Sequence, residues 1–238
     1  MTGRDGGLAA VLLDMDGTLV DTEPDWIACE RELVAAYGGS WTDEDSRALV
    51  GNALLASAGY IAAVGGVQLP PVEIVERLLD CVVARVGRRI PWTPGALELL
   101  EELNLAGIPV AMVTMSYRRL ADAVLAGLPA GTFAAVVTGD EVREGKPHPE
   151  PYLRAAAELG VDPRRCVAVE DSPPGVASAE AAGCVTVAVE GVVAVPPAPG
   201  RVGVSSLVGL TLGDLERIVR QSKGLDGSPA VHPPSSGR

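Results

Sequence analysis

The chain is poor in aromatic side chains: Phe, Trp and Tyr together make up 3% of its 238 residues, with a single Phe. A core without large rings has to be filled by Ala, Val and Leu, in keeping with a hydrophobic share of 47%. Positive charge is also scarce. The formal net charge of −12 argues against the basic footprint of a nucleic-acid-binding surface, although a local site with a bound cation can still hold an anion. No apolar run reaches the roughly 18 residues of a membrane span, and no apolar stretch precedes Leu8. These absences predict a soluble protein that is neither exported nor membrane-bound. Cys29, Cys81, Cys166 and Cys184 are widely spaced, with no CxxC pair and no neighbouring His cluster, so a zinc site is not expected. The four read as small buried hydrophobes in a reducing cytoplasm.

What is present is alternation. Short apolar, β-branched runs at residues 9–13, 109–114, 134–138, 166–170 and 185–189 have the length and composition of buried parallel strands. Helical patterns fill the gaps. Thr93 is a candidate cap with Pro94 at the first position, Leu97, Leu100 and Leu103 form a stripe, and Gly107 ends the element. The same grammar recurs over residues 149–159 with Gly160 as the stop, and over 172–182 with Gly183. Strand, helix, strand in repetition predicts an α/β fold with a doubly wound, mostly parallel sheet.

An oversized insertion separates the first two strands. Over residues 23–92, Trp26, Cys29, Leu33 and Tyr37 share one helical face, and Ile74, Leu78, Val82 and Val86 share another. Helical spacing without strand alternation predicts a small bundle, and its polar or Pro-bearing ends suggest a hinged lid. The expected organisation is a core of residues 1–22 and 93–220, a helical cap of 23–92, and a disordered Gly/Ser/Pro-rich tail of 221–238. Residues 195–200, with three prolines and a glycine, are not expected to form regular structure.

The chemistry lies at the ends of the strands. Asp14-Met15-Asp16-Gly17-Thr18 closes the first apolar run, and the chain later offers Thr114, Lys146 and the acidic pair Glu170-Asp171. Open α/β sheets bind ligands at this rim, and the residues are those a Mg²⁺-assisted phosphoryl-transfer site needs. Plainer readings exist for each: Asp-Gly as a turn, Thr114 as a strand-end hydroxyl bonded to backbone, Lys146 as a surface lysine, Glu170-Asp171 as a helix-start pair. Residues 139–146 superficially imitate a phosphate loop, but five residues separate Gly139 from Gly145 and Pro147 stands where a metal-binding hydroxyl is required. His148 reads as a structural or exposed loop residue.

Four motifs in order decide between these readings: Asp14 to Glu23, Val113-Thr114-Met115-Ser116, Gly145-Lys146-Pro147 and Val169-Glu170-Asp171-Ser172. With them the chain resembles the haloacid dehalogenase superfamily, in particular its β-phosphoglucomutase-like phosphatases with a helical cap, from about residue 8 to residue 220. The resemblance implies a Rossmann-like core and a phosphomonoester hydrolase working through an aspartyl-phosphate. Asp14 would attack phosphorus. Asp16 would protonate the leaving alkoxide and then deprotonate water. Mg²⁺ would be held by the Asp14 carboxylate, the Asp16 backbone carbonyl and Asp171, with Glu170 acting through a bound water. Thr114 and the backbone N–H groups of Met115 and Ser116 would hold phosphate oxygens, and Lys146 would add positive charge.

Departures within the superfamily narrow the reaction. Its carbon–halogen enzymes have no acid at the position of Asp16, and its transport ATPases have Thr there. Its mutases place a His twelve residues after the nucleophile and an Arg three past a cap glycine, where this chain has Trp26 and, counting from Gly51, Leu54. Hydrolysis of a small phosphomonoester is thus expected over phosphomutase chemistry. A receiver-type signalling domain, shorter and with its acceptor Asp on a middle strand, fits less well. A monomer with neither nucleic-acid nor membrane partners is expected. Asp21, Glu23, Trp26 and Asn52 are the residues expected to reach the leaving group, with Trp26 read first as cap core.

Overall fold

The computed structural model describes residues 7–224. Six strands form one sheet: β1 (Ala10–Leu13), β2 (Val110–Val113), β3 (Ala135–Val137), β4 (Cys166–Glu170), β5 (Val185–Val189) and β6 (Arg201–Val204). Their spatial order is β3-β2-β1-β4-β5-β6, and every neighbouring pair is parallel. Five strands fall where the apolar runs placed them. β6 was not anticipated: its residues Arg-Val-Gly-Val are only partly buried at the sheet edge, so they carry no continuous apolar signal.

Each central strand is buried on both faces, as parallel strands between helical layers must be. In β1, Ala10 and Leu12 pack with Tyr152 and Ala155 of α7 (Glu150–Glu158) and Ala179 of α8 (Pro173–Ala181). Val11 and Leu13 point to the opposite layer, which holds Leu99 and Leu103 of α5 (Ala96–Leu105) and Leu215 and Val219 of α9 (Leu212–Ser222). The remaining core helix, α6 (Arg118–Leu125), follows β2. α8 starts as expected, with the Ser172 hydroxyl accepting from Gly175 N–H.

α5 starts differently from the expectation. Its N-cap is Gly95 at φ 89°, a left-handed conformation that favours glycine. The Thr93 hydroxyl instead donates to the carbonyls of Thr18 (2.5 Å) and Leu19 (3.1 Å). The buried stripe of α5 is Ala96, Leu99, Leu100 and Leu103, while Leu97 is exposed.

The insertion carries four helices and no sheet strand: α1 (Glu23–Ala36), α2 (Asp43–Arg47), α3 (Leu54–Val64) and α4 (Pro71–Val86). Ile74, Leu78, Val82 and Val86 are all buried, as their spacing predicted. On α1, Cys29 and Leu33 are buried and Tyr37 is exposed at the helix end. The two connections to the sheet run side by side: Val20 bridges Trp92, Asp21 N–H donates to the Pro91 carbonyl, and Thr93 N–H donates to Leu19. Arg119 of α6 pairs with Glu76 and Asp80 of α4, a second contact between insertion and core.

The cysteines require a correction. Cys29 and Cys81, 52 residues apart, are joined as a disulfide between α1 and α4 and are not the small buried hydrophobes of a reducing compartment that the sequence reading expects. Packing of two helices makes neighbours of residues that sequence spacing keeps apart. Cys166 and Cys184 are free and buried, with burial pushing both thiols up to about 12. The expectation of four unpaired thiols therefore holds for these two only. No described helix is long and apolar enough to cross a membrane. The expected disordered tail lies, from residue 225 on, outside the described residues; residues up to Ser222 belong to α9.

Candidate active site

β1 is central, with β2 on one side and β4 on the other. After β1 the chain builds β2 and β3 on one side and then crosses to β4, β5 and β6 on the other, so the C-terminal ends of β1 and β4 flank the crevice where such folds bind ligands. Asp14 follows β1, Thr114 follows β2, and Glu170 ends β4 with Asp171 next to it. Parallel register thus brings together residues more than 150 positions apart. One carboxylate oxygen from each of Asp14, Glu170 and Asp171 lies within 4.8 Å of the others, and all three residues are buried.

Lys146 sits among them. Its Nζ donates to Asp14 Oδ1 (2.5 Å) and the Val113 carbonyl (2.9 Å) and pairs with Glu170 Oε1 (2.5 Å). An ammonium has three donors, so these partners use its capacity. It is a buried lysine, not a surface one. Burial alone would lower its pKa, but Asp14 and Glu170 more than offset this and hold it above the usual lysine value.

Its partners remain negative in excess. Burial raises Asp14 well above the ordinary carboxylate range, with Lys146 opposing and Glu170, Asp171 and Asp16 adding to the rise. Asp171 is pushed up to about 7 by burial and by Glu170. One lysine does not neutralise three buried carboxylates, and an oxygen-rich, net-negative cluster suits a hard divalent cation.

Two glycines make the cluster possible. A Cβ on Gly17, which adopts φ 84°, would lie 2.1 Å from Asp171 Oδ2, and one on Gly175 would lie 2.0 Å from Glu170 Oε2. Glu170 is held by Tyr152 Oη (2.5 Å) and Ser172 Oγ (3.3 Å). Tyr152, fully buried on α7 with Lys146 Nζ 5.4 Å from its ring centre, was missed in the sequence. Its motif neighbours carry no signal for it. Thr18 Oγ1 donates to Asp171 Oδ1 at 3.3 Å.

Asp16 turns away from this cluster. Its Oδ1 accepts from Thr22 Oγ1 (2.5 Å) and Trp26 Nε1 (3.4 Å), and its Oδ2 from Thr114 Oγ1 (3.1 Å) and Ser116 Oγ (2.8 Å). The two aspartates of the first motif thus occupy different surroundings, one with Lys146 and the acidic pair, one with hydroxyls and an indole. Ser116 N–H is already bonded to Thr114 Oγ1 (3.0 Å), and α6 begins only at Arg118 after Tyr117. The anticipated anion cradle at residues 114–116 therefore lies just ahead of the helix and, in this state, faces Asp16.

A cleft of about 430 Å³ connects the rim to the insertion. Asp14, Asp16, Thr114 and Lys146 form its floor, and Trp26, Glu30, Leu49, Asn52, Ser57 and Leu78 belong to its insertion side. Glu23, expected at the hinge, lines the cleft and is pushed up to about 7 by burial and by Glu30, Asp16 and Asp21. His148 is exposed and pairs with Glu144 beside Glu150, away from this cleft. The residues of all four motifs meet at one place.

This fold and rim define a class. Residues 8–183 match the haloacid dehalogenase-like hydrolase family, and the chain belongs to that family as one of its phosphatases. It is 37% identical over 211 residues to hexitol phosphatase A of Escherichia coli K12, covering 87% of this chain and 91% of that protein. It is 32% identical over 184 residues to the fructose-1-phosphate phosphatase YqaB of the same organism, covering 74% of this chain and 93% of that one. In three dimensions it resembles a CbbY variant from Rhodobacter sphaeroides, solved in complex with xylulose-1,5-bisphosphate: TM-score 0.81, 29% identity, 88% of this chain and 99% of that chain.

Proposed function

We propose that this phosphatase hydrolyses monoesters of small polyhydroxylated metabolites, with Asp14 as nucleophile and Asp16 as acid and base. The observation that supports this most is the separation of the two aspartates: Asp14 with Lys146 and the acidic pair, Asp16 among hydroxyls on the floor of the same cleft. Asp14 Oδ2 forms a bond to phosphorus as the bond to the ester oxygen breaks. Asp16 gives its proton to that oxygen. It then takes a proton from the water that attacks the aspartyl-phosphate, releasing phosphate and restoring Asp14.

Asp14, Asp171 and the Asp16 backbone carbonyl would hold Mg²⁺, with Glu170 behind a bound water. The cation, when bound, supplies the positive charge that lets a carboxylate approach a phosphate dianion. Lys146 holds Asp14 Oδ1 and so orients the other oxygen. Thr114, Ser116 and the Met115 N–H are placed to receive phosphate oxygens once a ligand displaces the contacts to Asp16. The helical insertion acts as a cap that closes the cleft and excludes water.

The test is phosphate release from hexitol and hexose monophosphates with and without Mg²⁺. EDTA is expected to abolish turnover and Mg²⁺ to restore it, and Asp14→Asn to lower kcat by on the order of 10⁴-fold. Metal-independent turnover, or an active Asp14→Asn variant, would refute the assignment.

A further inference from the structure

Glu30 of α1 is 5% exposed and lies in the cleft on the insertion side. Both of its donors land on one oxygen: Trp41 Nε1 at 3.0 Å and Ser46 Oγ at 2.7 Å reach Oε2. Among the described residues no bond reaches Oε1, yet no fully buried side-chain oxygen lacks a partner. Oε1 therefore keeps some access to solvent, and the residue that carries it lines the cleft. Ser57 on α3 is alike: it is 6% exposed, lines the same cleft, and its hydroxyl has no bonded partner among the described residues. An acceptor and a hydroxyl thus face an interior space whose other walls include Leu49, Leu54 and Leu78.

The charge of this space is one-sided. Asp21, Glu23 and Glu30 line it on the insertion and hinge side, and Lys146 is the single cation among all lining residues. Lys146 is already committed to Asp14 and Glu170. None of the lining residues on the insertion side carries positive charge to meet a second anionic group.

We propose that Glu30 and Ser57 form a subsite that accepts the distal hydroxyls of an uncharged polyol or sugar leaving group and rejects leaving groups carrying a second phosphate or a carboxylate. Trp41 and Ser46 hold the carboxylate so that Oε1 accepts a hydrogen bond from a substrate hydroxyl, while the apolar walls meet the carbon chain. This rests on the phosphatase reading and sharpens its substrate class. It also sets this chain apart from the CbbY protein solved with a bisphosphate.

The experiment compares kcat/KM with saturating Mg²⁺ for fructose 1-phosphate, fructose 1,6-bisphosphate, phosphoglycolate and p-nitrophenyl phosphate. The ester with a neutral polyhydroxyl group is expected to exceed the bisphosphate and phosphoglycolate by about tenfold or more, the scale of one hydrogen bond to a charged group. Glu30→Gln is expected to raise KM for fructose 1-phosphate about tenfold, to narrow its lead over the bisphosphate, and to change p-nitrophenyl phosphate turnover far less, because that ester has no hydroxyl to offer. Ser57→Ala should show the same selectivity more weakly and serves if Glu30→Gln does not fold. Equal use of the bisphosphate, or loss on p-nitrophenyl phosphate equal to that on fructose 1-phosphate, overturns the subsite while leaving the phosphatase intact. No release from any ester by the wild-type protein overturns both.

Discussion

The sheet rim and the helical insertion bury acidic groups in opposite ways. At the rim, Asp14 and Glu170 share a lysine, and Glu170 is further held by Tyr152 and Ser172. In the insertion, Glu30 makes no ion pair among the described residues, with Arg31 acting on it only at a distance, and is held by an indole and a hydroxyl that satisfy a single oxygen. The first arrangement is closed around charge and suits one fixed group, the phosphate with its cation. The second leaves one oxygen without a bond among the described residues. On the proposed reading, one cleft divides its work, with chemistry at the rim and choice of leaving group in the insertion.

The sharpest way to break this division is to change the rim and look for an effect on selectivity. Asp16→Ala is expected to lower kcat by about 10²–10⁴-fold, the range of a lost general acid and base, for every ester alike. Inorganic phosphate binding should persist, because Asp14, Lys146 and the residues of 114–116 remain. Calorimetric titration with phosphate alongside steady-state assays checks this. Selective loss on one leaving group would place substrate choice at the rim and end the comparison.

A second pair of variants sets the stability of the two regions side by side. Lys146→Met leaves two buried carboxylates uncompensated and is expected to cost about 3–5 kcal/mol in metal-free protein. Cys29→Ala removes the link between α1 and α4 and is expected to cost about 2–4 kcal/mol, concentrated in the insertion. Denaturant unfolding followed by hydrogen exchange would separate them: protection should fall around β1 and β4 for the first and in α1 and α4 for the second.

How much of this the sequence disclosed follows the same division. Asp14, Thr114 and the Glu170-Asp171 pair were legible because each stands at the end of a short apolar strand, and parallel pairing such as Leu13 with Val169 then aligns those ends without further information, whereas Lys146, in the loop between β3 and α7, was legible only through its motif. Strand-end motifs therefore implied contact between Asp14 and Asp171. In the insertion, helical periodicity identified the buried face of α4 but not its neighbours. Glu30 reads as one more charged residue on an amphipathic helix until Trp41 and Ser46, from beyond the helix end, cover it. Cys29 and Cys81 are hidden for the same reason, since helix crossings have no register that spacing can announce. Thr93 misled because a hydroxyl just before Pro94 looks like a helix cap, whereas its bonds to the Thr18 and Leu19 carbonyls join the two connections between insertion and core.

The smallest effect concerns protons at the rim. An Asp in the unfolded chain titrates near 4, and in the folded, metal-free protein Asp171 is raised to about 7, with Asp14 raised as well. The native state therefore binds more protons than the unfolded state between about pH 4 and 7. Stability from these groups is present below the unfolded value and is lost as pH rises through the folded one. EDTA-treated protein should accordingly melt at a lower temperature at pH 8 than at pH 5.5. Mg²⁺ competes with those protons, so its effect should run the other way. At pH 8 a concentration one hundred times its Kd adds about 2.7 kcal/mol, or about 5–10 °C for a chain of this size. At pH 5.5 the same addition should give less than half of that shift. Thermal melts at the two pH values, with and without Mg²⁺, measure both slopes. Equal Mg²⁺ shifts would mean that the cation does not replace protons on Asp14 and Asp171, and the rim would then lose the feature that distinguishes it from the insertion.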